Sequence, residues 1–130
     1  LTALLTALVL YLMTPRTEIR SLTGFRCYFV PRCEVNYQSY HRDNDLYNMG
    51  IYKLNGQDAA RFVYWAQENG WSPMPLSDEA LTSGMLDEET CPEAAKIKQV
   101  TQGFWKGFHG SYLYVFDSQT ATLYIRKMPR

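Results

Sequence analysis

The chain is poor in the residues that build metal and nucleophile sites, with three cysteines and two histidines in 130 residues. No C-x-x-C or H-x-x-x-H spacing pairs them, so the closely spaced ligand pairs of a structural zinc site are missing. Asp43 and Asp45 begin like a calcium loop, but position 47 is Tyr and no glycine follows at 48, so that pattern fails. A glycine-rich phosphate loop is also missing, and neither a metal nor another cofactor is expected. Cys91 and His109 form a nucleophilic pair only in the sense that any chain with these residue types offers one. An excess of one charge is missing too: 13 basic residues balance 13 acidic ones, which argues against nucleic acid as a partner. One domain's length leaves no room for separate cofactor and substrate domains.

The balanced total hides a segregated pattern. Residues 1–32 carry Arg16, Arg20, Arg26 and Arg32 against Glu18 alone, while residues 61–95 set Arg61 against seven acids. The last third is basic again, through Lys96, Lys98, Lys106, Arg126, Lys127 and Arg130. Acidic and basic segments of this kind can compensate within the fold or face different partners. Aromatics are plentiful at 15%, ten of them tyrosines, whose apolar body and polar tip suit sheet faces and boundaries.

Residues 1–13, LTALLTALVLYLM, are uncharged, and Thr14, Pro15 and Arg16 close the run. Thirteen helical residues reach about 20 Å, short of a hydrocarbon core of about 30 Å. The sequence opens on Leu rather than Met, so further basic and apolar residues are expected upstream, and with them the segment would span. An uncleaved membrane anchor is favoured over a cleaved signal peptide, because no small-x-small site follows Met13. A buried helix of a soluble fold is the third reading. The arginines that follow pull toward the cytoplasm by the positive-inside rule, although export is favoured for the domain. The expected organisation is an apolar anchor or signal helix at 1–13, a linker at 14–23 and one α+β domain at 24–130, a small antiparallel sheet packed against one main helix.

Cys27 and Cys33 flank Val30-Pro31-Arg32, and a turn there would let them bridge; Cys91 is an alternative partner. Residues 25–30 and 35–40 read as short strands. Residues 48–54 form a firmer strand, closed by Asn55-Gly56. The clearest helix follows at 56–69: Asn55 caps it, Asp58 sits near its positive end, and Ala59, Phe62, Val63 and Ala66 form one stripe up to Gly70. Residues 71–76 are extended by Pro73 and Pro75. A short helix is expected from Ser77 to Leu81, then an acidic irregular loop over 82–95, and a helix or strand after Pro92.

Residues 103–108 read as strand within an otherwise ambiguous stretch, and the firmest β signal is the hairpin of 111–116 with 121–127. Taken strand by strand, Tyr112, Tyr114, Phe116, Tyr124 and Arg126 fall on one face of that hairpin. Such a face could stack on sugar rings or bases; the alternative is cross-strand pairing beneath a covering element.

Glu68-Asn69-Gly70-Trp71, Pro73-Met74-Pro75-Leu76, Thr101-Gln102-Gly103-Phe104-Trp105 and the stretch 112–124 together resemble small α+β proteins of gut-type Gram-positive bacteria, membrane-anchored or secreted. The likeness covers roughly residues 48–127. It implies one N-terminal membrane segment and one extracytoplasmic domain, and it brings no catalytic residue. The Cys27/Cys33 pair and the long acidic loop depart from it. The expected function is a non-catalytic binding module at the cell envelope, held to the membrane through residues 1–13, with an envelope protein or polymer as partner. The competing expectation is a small hydrolase with His109 as base.

Overall fold

A computed structural model describes residues 2–35, 48–83, 86–88, 92–109 and 112–127. Helix α1 (Thr2–Thr23) leads into strands β1 (Arg32–Val35) and β2 (Asn48–Lys53), then helix α2 (Gly56–Glu68). Strand β3 (Ser72–Pro73), helices α3 (Asp78–Thr82) and α4 (Ala94–Lys98), and strands β4 (Gly103–His109), β5 (Tyr112–Asp117) and β6 (Thr122–Lys127) complete the chain. The strands form one sheet in the order β1-β2-β6-β5-β4-β3, with every neighbouring pair antiparallel.

Local chemistry accounts for the best-formed elements. The Asn55 side chain accepts from the Gln57 amide at 2.8 Å and satisfies one of the orphan donors at the start of α2. At the other end Gly70 takes a positive φ of 78°. Trp71 N–H then reaches back to the Ala66 carbonyl at 3.0 Å, the six-to-one bond of a glycine-terminated helix. Ser77 caps α3 by accepting from the Ala80 amide at 3.2 Å. In the β5–β6 hairpin Asp117 pairs with Thr122, and its carboxylate accepts from the Gln119 amide and the Thr120 hydroxyl, each at 2.9 Å.

Alternation along the strands gives the sheet two apolar faces, and both are covered. One face presents Tyr52, Tyr114, Phe116, Leu123 and Ile125 to Phe62 and Ala66 of α2, to Ile19 of α1, and to Phe25 and Trp71. The Phe62 ring lies 4.4 Å from that of Phe116 and 4.8 Å from that of Phe25, within the range of favourable aromatic pairs. The opposite face presents Met49, Ile51, Leu113, Val115 and Tyr124 to Leu76, Ala80, Leu86, Ala94, Ile97 and Val100.

The expected α+β class, the strands at 48–54, 103–108, 111–116 and 121–127, and the helix at 56–69 all appear. Three expectations change. Several helices pack on the sheet rather than one, because α3 and α4 close its second face. Residues 24–31 contain no strand, since the amides of Tyr28 and Phe29 donate to the Asp58 carboxylate at 3.0 and 2.9 Å instead of to a ladder. Pairing starts later, where Arg32 meets Lys53. The stretch 14–23, expected as linker, is the second half of α1, and Pro15 lies inside the helix. Of the strand expected at 35–40, only Val35 lies among the described residues.

Candidate functional site

The aromatic face expected to bind a ligand does not exist as one surface. Tyr114 pairs with Ile125 and Val115 with Tyr124, so even-numbered residues of β5 share a face with odd-numbered residues of β6. Tyr112, Tyr114 and Phe116 therefore lie under α1 and α2, whereas Tyr124 and Arg126 point to the other side of the sheet. Tyr114, Phe116, Tyr124 and Arg126 are buried, and Tyr112 is half-buried. Tyr114 and Tyr112 stack at 5.8 Å, and burial, followed by the neighbouring Tyr112, pushes the Tyr114 hydroxyl up to about 12. These residues are core, and they leave the candidate site.

Cys27 and Cys33 are both free thiols, so the bridge expected between them is not formed. Cys27 packs in the core under α2 while Cys33 pairs with Tyr52 at the sheet edge. Burial, reinforced by Asp58 and opposed by Arg16 and Arg61, pushes the Cys27 thiol up to about 12, which makes it a poor nucleophile. Cys91 and His41 lie outside the described residues. His109 closes β4 opposite Tyr112, and its side chain is likewise outside them. Of the acidic loop at 82–95, Leu86 and Ala94 are core residues.

A site forms elsewhere, along α1. Leu4, Leu5, Leu8 and Val9 are exposed at 51–73% of their surface. Past Pro15 the helix docks on the sheet: Ile19 is fully buried, and Glu18 accepts a hydrogen bond from the Tyr52 hydroxyl. The Tyr114 hydroxyl donates to the Leu22 carbonyl at 2.8 Å. Gly24, with φ 89°, turns the chain back along the helix. Arg16 Nε then donates to the Cys27 carbonyl at 3.0 Å, which sets the returning segment level with Arg16.

Between this helix and the returning segment lies a cleft of about 240 Å³, lined by Arg16, Thr17, Arg20, Arg26, Cys27 and Tyr28. Three of those residues are arginines, and no carboxylate is among the described residues that line it. The wall is braced from outside. Asp58, itself buried, holds the Tyr28 and Phe29 amides and pairs with Arg61 at 2.8 Å. Arg61 also donates to the Arg26 carbonyl at 3.0 Å and stacks 3.5 Å from the Tyr28 ring centroid. Guanidinium groups offer planar, permanently charged donors suited to carboxylate or phosphate oxygens. With 14–23 read as linker, the sequence does not show the cleft. Arg16 and Arg20 are four apart, and one helix carried through Pro15 puts them on one face.

The fold and this site define a small α+β domain with an apolar helical projection and a basic cleft at its base. No protein-family model matches the chain, and no curated protein or solved structure matches it. Among the described residues no helix is long and apolar enough to cross a membrane.

Proposed function

We propose that the chain is a non-catalytic binding module attached to a membrane through the first half of α1, with the arginine cleft as its ligand-accepting feature. The observation that carries this reading is the exposure of Leu4, Leu5, Leu8 and Val9 on a half-helix without charge. Each such side chain gains about 1.5–3 kcal/mol on leaving water, and the domain's own core covers none of the four. Twelve helical residues, 2–13, reach about 18 Å, comparable to one leaflet of a core about 30 Å thick.

The extracytoplasmic side is proposed on the resemblance to the small proteins of Gram-positive bacteria. A second reading, the cytoplasmic side, is favoured by Arg16, Arg20 and Arg26 gathered directly after the apolar run. Labelling of intact cells with an impermeant thiol reagent separates the two: a signal before lysis supports the outer side, and a signal only after lysis the inner one.

Flotation of the full chain with phosphatidylcholine vesicles tests membrane attachment. The chain is expected to float, and Leu4→Ser/Leu8→Ser to stay in the soluble fraction with an unchanged thermal midpoint. A full chain that stays soluble in the presence of vesicles overturns the reading.

A further inference from the structure

The geometry points to a specific ligand class for the cleft: we infer that Arg16, Arg20 and Arg26 receive the phosphate of an anionic membrane lipid. This rests on the membrane-attached reading and adds to it the headgroup chemistry and the domain's orientation on the bilayer.

Charge and shape come first. The three arginines line one concave space of about 240 Å³, roomy enough to admit a group larger than a water molecule. Arginine binds phosphate through paired N–H donors, so three arginines lining one cleft favour an oxyanion with several acceptor oxygens.

Position argues for a lipid rather than a dissolved phosphate. Arg16 is the first charged residue after the apolar half of α1, and that half extends from the same helix that forms one wall of the cleft. A bilayer that accepts Leu4, Leu5, Leu8 and Val9 must bring its headgroups to the level of Arg16. The opposite wall ends in Tyr28, Phe29 and Val30, exposed at 67, 44 and 47% although all three are apolar or aromatic. The Arg16–Cys27 hydrogen bond sets this tip at the same level. Aromatic residues favour the headgroup zone, so helix, tip and cleft meet one interface together. Asp58 and Arg61 hold the tip in place before any lipid arrives, which lowers the ordering cost of binding.

The experiment measures partition of the full chain into vesicles of phosphatidylcholine alone and of phosphatidylcholine with phosphatidylglycerol. The mixed vesicles are expected to bind more tightly. Arg16→Gln/Arg20→Gln/Arg26→Gln should lose that gain, on the order of a hundredfold at low salt, while binding to phosphatidylcholine persists. Because Arg16 also holds the Cys27 carbonyl, Arg20→Gln/Arg26→Gln is run beside it and should lose about tenfold or more with an unchanged thermal midpoint. Replacing all three by Lys keeps the charge but should recover only part of the gain. Lys96→Gln, on α4 across the sheet, should change nothing. Equal binding to both vesicle types, or a gain the arginine variants keep, overturns the inference and leaves membrane attachment standing. Tight binding of glycerol phosphate without vesicles makes the ligand soluble and overturns the lipid assignment. No vesicle binding of any kind overturns the membrane reading itself.

Discussion

The hydroxyl of Tyr114, on a central strand, donates to the carbonyl of Leu22 in α1 at 2.8 Å. A second tie lies along the same helix, from the Tyr52 hydroxyl to Glu18. These bonds hold the packed half of α1 on the sheet and thereby fix where its exposed half departs. The two ties differ in what their loss leaves behind. Tyr114→Phe removes a neutral hydrogen bond and should cost about 1 kcal/mol in denaturant unfolding. Tyr52→Phe strands a carboxylate that is only 7% exposed, whose other oxygen has no hydrogen-bond partner among the described residues. That substitution should cost about 2–3 kcal/mol, and equal losses at the two positions would contradict the assignment.

Alkaline pH should destabilise the domain. The Cys27 thiol is raised from 9.0 to about 12 and the Tyr114 hydroxyl from 10.0 to about 12, both first by burial. Cys33 and Tyr124 move in the same direction, again first by burial. Each group is neutral when protonated, and the folded state holds that proton more tightly than the unfolded chain. Their contribution is complete below about pH 9 and is lost as pH climbs from there toward about 12, because the unfolded state then binds fewer protons. The urea midpoint should fall between about pH 9 and about pH 10.5, and Cys27→Ala should flatten that fall. A midpoint that rises over this window would reverse the sign.

Gly103 opens β4 at φ 135°, a conformation side chains rarely adopt, and a Cβ there would overlap the Phe116 carbonyl oxygen. That oxygen belongs to the backbone of the neighbouring strand and cannot rotate away. Gly103→Ala should therefore destabilise by about 2–4 kcal/mol, combining backbone strain with overpacking. By contrast Gly56→Ala, where a Cβ meets nothing within 4 Å, should be neutral or better, and thermal melts of the pair make the comparison.

Stability also separates the buried aromatics from the exposed ones. Phe116→Ala should cost about 3–5 kcal/mol, because its ring fills the core beneath Phe62. Phe29→Ser at the exposed tip should stay within about 0.5 kcal/mol and weaken vesicle binding instead. The reverse pattern would return Phe116 to the surface role first expected of it.

What could be read from sequence follows from how local each signal is. Helix α2 declared itself through a cap, a stripe and a glycine stop, all within sixteen residues, Asn55 to Gly70. Strands β2, β4, β5 and β6 showed alternation or β-branched runs that need no distant partner. Phasing each strand of the hairpin alone misplaces its faces. The four-residue connection Ser118–Ala121 pairs Asp117 with Thr122, so residues of opposite parity share a face. Residues 25–30 have strand composition, yet Asp58, 30 residues from Tyr28, takes the amides a strand would use. The cleft was invisible for a related reason. Pro15 reads as a stop, but tertiary ties from Tyr52 and Tyr114 support the helix beyond it and align Arg16 with Arg20.

Hydrogen–deuterium exchange on the full chain, with and without vesicles, shows whether the exposed half of α1 enters a bilayer. Strong added protection is expected over residues 2–13, a smaller gain over 28–30, and no change in β5 and β6. Unchanged exchange over 2–13 while vesicles are present in excess would contradict that entry.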